Sequence, residues 1–100
     1  MIVFNSGNRY VTRGVDSTVP LYLMMIMWNL IDRRKDVEKL DYLQIFRLSV
    51  DDGKQVIIHE QEQPKPFKNR YTLTAPTTFI GKVYVIDDGD HETMLLAEEY

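Results

Sequence analysis

Residues Leu21 to Ile31 form the most apolar window of this chain and constrain its fold more than any other stretch. At ~100° per residue they give a helical wheel with two apolar stripes rather than one. Leu21, Met24, Met25, Trp28 and Ile31 make the first stripe. Leu23, Met27 and Leu30, with Ile26 beside them, make the second. Tyr22, Asn29 and Arg33 mark the consistent polar sector. A helix resting on one sheet with its back in water needs a single stripe. This one needs cover around most of its circumference, from a sheet that curls about it or from a partner. The window is roughly half the ~20 residues of a spanning helix, and charges flank it, so it reads as a buried helix and not as a membrane span.

The surrounding residues set the expected boundaries. Residues 8–15 predict a short strand ending at Gly14, because Tyr10, Val11 and Thr12 favour a pleated surface. In Asp16-Ser17-Thr18-Val19-Pro20, Ser17 or Thr18 can cap free N–H groups, and Pro20 is tolerated in a first turn. The helix is expected from about Val19 to Arg34, with Arg33-Arg34-Lys35 complementing its dipole. Beyond a loop anchored by Val37 and Leu40, the pattern turns to period two, and Phe46, Leu48 and Val50 share one face of a strand. Asp52-Gly53 then signals a hairpin, setting Leu48 opposite Ile57 and Phe46 opposite His59.

Pro64 and Pro66 break the returning strand. From Phe67 to Thr74 the alternation resumes, with Phe67, Tyr71 and Leu73 on one face and Lys68, Arg70, Thr72 and Thr74 on the other. A loop opens at Ala75-Pro76 and closes near Gly81. Strands at Lys82–Asp87 and Glu92–Glu98 flank the Asp88-Gly89-Asp90 turn. Short connections imply antiparallel neighbours. The expected fold is therefore a single α+β domain over residues 1–100. One long helix packs on a curved antiparallel sheet of about five strands, in strand–helix–four-strand-meander order, a cystatin-like arrangement.

Composition limits the function classes. At 100 residues, a second domain would leave both too small to bury a core. With no cysteine there is no disulfide framework and no thiolate zinc site. A net charge of −3 is too mild to argue for nucleic acid or for an anionic membrane surface, and neither is expected as a partner. Met1–Asn5 carries no secretory pattern, so a cytoplasmic location is expected.

The richest cluster of chemistry-bearing side chains is Asp87, Asp88, Asp90 and His91. Hard cations need several oxygen ligands, which such a turn could begin to supply. The simpler reading is a turn, since Asp accepts local backbone hydrogen bonds and Gly supplies positive φ. Asp87–Tyr100 holds six acidic residues and neither Lys nor Arg, and reads as a solvated strand edge or a surface for a basic partner. His59 and His91 have no evident nucleophile or orienting partner, so no catalytic residue is assigned. Of Lys65, Lys68 and Arg70, the first lies in the proline loop and the other two alternate onto the face opposite Phe67 and Tyr71, which disfavours a base-stacking surface.

Several motifs agree in order with a known family. Arg9-Tyr10-Val11-Thr12-Arg13-Gly14-Val15, Met27-Trp28-Asn29-Leu30-Ile31-Asp32, Asp41-Tyr42-Leu43-Gln44, Val85–His91 and Met94–Tyr100 resemble the domain of unknown function 960 family. The resemblance implies a small cytosolic protein of Gram-positive bacteria. It implies no activity, cofactor or catalytic residue.

Two functions follow as expectations. The first is a non-catalytic protein-interaction module, with a second copy (as a homodimer) or another protein as partner, contacting it through helix residues Leu23, Met24, Met27 and Leu30, whose methionines adapt to irregular surfaces. The second is a small-ligand or enzymatic domain with a pocket between helix and sheet, lined by Trp28, Tyr42 or Phe46. No cofactor is expected in either.

Overall fold

Local chemistry starts the first helix earlier than its glycine suggests. The Thr12 hydroxyl accepts a hydrogen bond from the Val15 N–H and so caps α1, Arg13–Thr18. Gly14 therefore lies inside a helix, and the strand before it stops at Val11. The Ser17 and Thr18 hydroxyls donate back to the Gly14 carbonyl and cap nothing. The longer helix α2, Leu21–Lys35, begins after Pro20, whose missing N–H is no loss there. Arg33, Arg34 and Lys35 sit in its last turn, as the dipole favours.

The computed structural model describes residues 1–5 and 7–100. Among these, seven strands form one mixed sheet: β1 (Ile2–Val3), β2 (Arg9–Val11), β3 (Leu43–Asp51), β4 (Lys54–Gln61), β5 (Phe67–Leu73), β6 (Gly81–Asp87) and β7 (Glu92–Leu96). Their spatial order is β1-β2-β7-β6-β3-β4-β5. A 3₁₀ turn, Ala97–Glu99, closes the chain.

This overturns the expected architecture of one long helix on a five-stranded antiparallel, cystatin-like meander. The molecule is mostly sheet. β2 and β7 pair in parallel, with Arg9 beside Glu92 and Val11 beside Met94. The order β6-β3-β4-β5 is a Greek key, in which the fourth strand returns to lie beside the first. Short-range signals specify hairpins but not which distant strand is recruited, so both departures lie in non-local pairings. The buried Gln55 side chain ties the crossing loop. Its Nε2 donates to the Phe79 carbonyl at 3.0 Å and its Oε1 accepts from the Phe79 N–H at 2.8 Å.

The hairpin expectation holds in detail. Leu48 lies opposite Ile57 and Phe46 opposite His59. Asp52 and Gly53 both have positive φ, 53° and 73°, the pattern of a type I′ turn.

Both helices lie on one face of the sheet. Val15 and Val19 join Leu23, Met24, Met27, Trp28, Leu30 and Ile31 of α2 in a core with Phe46, Leu48, Ile57, Val83, Val85 and Met94. The exposed side of α2 carries Leu21 and Met25, 62% and 57% exposed, followed one helical turn apart by Asn29 and Asp32. The two-stripe wheel is therefore covered by the chain itself, except at Leu21 and Met25. By alternation the second face of the sheet carries Leu43, Ile45, Tyr84, Ile86 and Leu95; neither α-helix lies over it, but Ile45 and Leu95 are buried and Tyr100 packs edge-on against Tyr84.

Across the parallel pair, Glu92 is nearly inaccessible and both of its oxygens are engaged. Arg9 Nε donates to Oε1 and Lys35 Nζ to Oε2, each at 3.0 Å. Arg9 also forks onto Asp32 of α2 and lies 4.6 Å from the Trp28 ring centroid. Burial opposes the Arg9 charge, but the hydrogen bonds to Asp32 and Glu92 outweigh it and raise its pKa. Removing the carboxylate leaves the buried Arg9 Nε–H without its acceptor and halves the negative charge facing that guanidinium, which costs about 3 kcal/mol. Urea unfolding of Glu92→Leu should show a loss of that size. Lys35→Ala should lose under about 1 kcal/mol, because Lys35 reaches water.

Candidate functional site

Tethering α2 to the β2–β7 side of the sheet leaves the other side less covered. β5 contributes only the half-buried Leu73 to the main core. Between α2 and the overhanging strands runs a groove of about 410 Å³, lined by Met25, Ile26, Asn29, Leu30 and Arg33 of the helix, Ile57 of β4, and Tyr71 and Leu73 of β5. A second hollow of about 220 Å³ shares Leu30, Arg33 and Tyr71 with it and extends to Val37 and His59. The adjoining hollows together make a channel along the helix, with Arg34 also lining the second. Its lining is largely apolar, and Arg33 forms no ion pair among the described residues.

The channel ends against a buried polar network. His59 stacks on Phe46, with ring centroids 4.4 Å apart, and meets the Phe67 ring edge-on at 5.1 Å. Its Nε2 lies 2.7 Å from Gln44 Oε1. Gln44 Nε2 donates to Gln61 Oε1 and to the Asp41 carbonyl, and Gln61 Nε2 donates to the Lys65 carbonyl. These contacts pin the loop that enters β3 and the loop that leaves β4, side by side at the open end of the hairpin. Arg34 lies over Phe67 at 4.0 Å and ties the helix end to the first residue of β5.

The sequence-selected residues fare differently. Leu23, Met24, Met27 and Leu30, expected as partner contacts, are all buried, at 0%, 4%, 0% and 8% exposure. Only Leu30 reaches the channel, and the accessible apolar residue of that helix lining it is Met25, which the wheel had assigned to the buried stripe. Trp28 and Phe46 are core residues, and Trp28 Nε1 has no hydrogen-bond partner among the described residues, so that ring acts through packing.

Tyr42 does line a separate cavity of about 350 Å³ at the other flank of α2, with Ile31, Lys35, Leu40, Val85 and Glu92. Its buried polar groups are engaged within the chain, Glu92 with Arg9 and Lys35, and Gln44 with Gln61 and the Asp41 backbone.

Asp87, Asp88, Asp90 and His91 form the β6–β7 turn. Asp87 Oδ1 accepts from the Gly89 N–H, and Asp88 Oδ1 accepts from the N–H groups of Asp90 and His91. The His91 hydrogen bond leads in holding the Asp88 carboxyl below its ordinary pKa. His91 Nε2 pairs with Asp88 at 2.9 Å. Among the described residues, no three His, Cys, Asp or Glu side chains converge to hold an ion.

The rest of the C-terminal acidic run is not a uniform surface either. Glu92 is buried, and Glu99 accepts from the Thr12 hydroxyl and the Leu96 N–H. The Thr12 bond is the main cause of its lowered pKa. Nothing local could have marked Glu92, since its partners lie in β2 and α2. Lys68 and Arg70 are exposed on the face opposite Tyr71 and Leu73, as their alternation predicts.

Residues 8–99 match the family model described as a Staphylococcal protein of unknown function (DUF960). The chain is also similar to the structure described as "Crystal structure of the protein of unknown function from Enterococcus faecalis". Identity is 30%, the TM-score is 0.81, and the match covers 100% of this chain and 97% of that one. No curated protein matches the chain. Among the described residues no helix is long and apolar enough to cross a membrane.

Burial and the nearby Arg34 charge push the His59 pKa from 6.5 down to about 4. The unfolded chain takes up this proton first, so folding weakens as pH falls from about 6.5 towards 4, by about 3 kcal/mol in all. His59→Leu should lose this part of the pH dependence in urea unfolding. An NMR titration of the His59 ring with a midpoint near 6.5 would contradict it.

Proposed function

Because the chain belongs to the DUF960 family, whose description assigns no activity, we propose from its own geometry that it is a non-catalytic protein-interaction module of the cytoplasm. The observation that carries this reading is the apolar part of the channel between α2 and β5, beside an edge strand and lined by Met25, Leu30, Tyr71 and Leu73. Apolar grooves beside exposed strands receive polypeptide segments, with main-chain pairing for affinity and pockets for specificity. The histidines support a non-catalytic role, because His59 is buried against Phe46 and His91 is held by Asp88. The cavity beside Tyr42 is of ligand size, but its engaged polar groups rank a small-ligand role behind the channel.

A photo-crosslinking amino acid placed at Met25 in living cells should capture a polypeptide that the same group at Asp90 does not. Leu73→Asp should abolish the adduct while leaving the circular dichroism spectrum unchanged. Equal capture at both positions, or capture that survives Leu73→Asp, would count against the reading.

Self-association is a second form of the same proposal, favoured by the half-exposed Leu43, Tyr84 and Ile86 on the sheet face away from the α-helices. Sedimentation should then show a concentration-dependent dimer that Tyr84→Lys dissociates. A strict monomer at all concentrations would remove this form.

A further inference from the structure

β5 is an end strand of the sheet and has β4 as its one neighbour. Seven residues, Phe67–Leu73, are paired on that side alone. Among the described residues no other backbone hydrogen bond reaches them. The strand holds no proline, and none of its residues has a positive φ. The opposite end of the sheet is closed by β1, only two residues long. A long regular edge is a template for another strand, and proteins usually blunt it. Here the one blunting device is charge, and it is of one sign.

That sign runs against the rest of the molecule. The chain has a net charge of −3, yet residues 63–86 contain Lys65, Lys68, Arg70 and Lys82 and no Asp or Glu. Within β5, Lys68 and Arg70 project to the outer face of the sheet. Arg70 pairs with Asp51, but both groups are largely exposed at 56% and 71%, so water screens that pair. Tyr71 and Leu73 project the other way, into the channel above Met25 and Leu30. The edge therefore presents two different chemistries on alternate sides of one strand.

From this alternation we infer that β5 receives an extended segment of a partner protein as an eighth strand, with acidic and apolar residues alternating. The inference rests on the channel being a protein-docking site. Acidic side chains of the added strand lie beside Lys68 and Arg70, where opposite charges on neighbouring strands stabilise pairing. Its apolar side chains enter the channel beside Tyr71 and Leu73. Backbone hydrogen bonds to the free edge supply affinity independent of side-chain identity. A partner of this pattern cannot slip by one residue, because a slip would carry every carboxylate into the apolar channel.

The test uses the full chain and synthetic peptides of roughly eight residues, long enough for one strand. One peptide alternates glutamate and valine. A second has the same composition in two blocks, and a third alternates lysine and valine. The alternating acidic peptide should shift amide NMR signals of Phe67–Leu73 and protect their exposed N–H groups from exchange. Both other peptides should bind at least about tenfold more weakly. N-methylation of the peptide at alternate positions should abolish binding in one phase and spare it in the other, since only one set of its N–H groups faces β5. Lys68→Glu combined with Arg70→Glu should reverse the preference towards the lysine peptide.

Equal binding of the alternating and block peptides, or shifts centred away from β5, would overturn the inference. So would equal sensitivity to N-methylation in both phases. If the Met25 crosslink still captures a polypeptide while the acidic peptide fails, the docking site stands and the added strand falls. Loss of both removes both.

Discussion

Arg9 and Glu92 face each other across the parallel pairing of β2 with β7, and much of the molecule depends on that contact. A carboxylate this deeply buried is tolerated only if both oxygens are hydrogen-bonded and its charge is matched. Arg9 supplies one bond and Lys35 the other, and Arg9 is itself matched by Asp32. One cluster therefore fixes the register of the parallel pair and the position of α2 together. A one-residue slip of β7 would turn Glu92 to the opposite face and leave Arg9 and Lys35 without it.

Anchoring the helix at this end has a consequence at the other. α2 covers the middle of the sheet, while β5 extends past it, which opens the channel under Tyr71 and Leu73. The crossing loop of the Greek key is held in place by Gln55, whose amide oxygen and nitrogen both bind the Phe79 backbone. The His59–Gln44–Gln61 network holds the loops at the far end. The channel is thus framed by buried polar side chains whose hydrogen bonds are directional and do not permit neighbouring arrangements.

The parts legible in the sequence were those set by neighbours within a few residues. The Asp52-Gly53 hairpin came out in the correct register because positive φ at two adjacent positions fixes the turn type. Lys68 and Arg70 separated from Tyr71 and Leu73 because a strand has period two. Gly14 misled, since a glycine at the end of a β-branched run reads as a stop, whereas Thr12 had already capped a helix through the Val15 N–H. The wheel of α2 correctly showed an arc wider than one stripe but placed Met25 inside it. Angular position on a helix tells which residues share a side, and only the packed sheet tells where that side ends.

Glu92 marks the boundary most clearly. By itself the sequence determined strand and helix periodicity, the tight turns, the absence of thiol chemistry and the lack of acidic residues between 63 and 86. These are properties of spacing and composition, which the unfolded chain already possesses. The tertiary structure alone decided that β6 returns to β3, that β2 joins β7 in parallel, and that an acidic residue in a charged tail becomes a buried ion-pair centre. Each depends on side chains more than thirty residues apart meeting out of water, where the balance between desolvation and pairing is set by geometry.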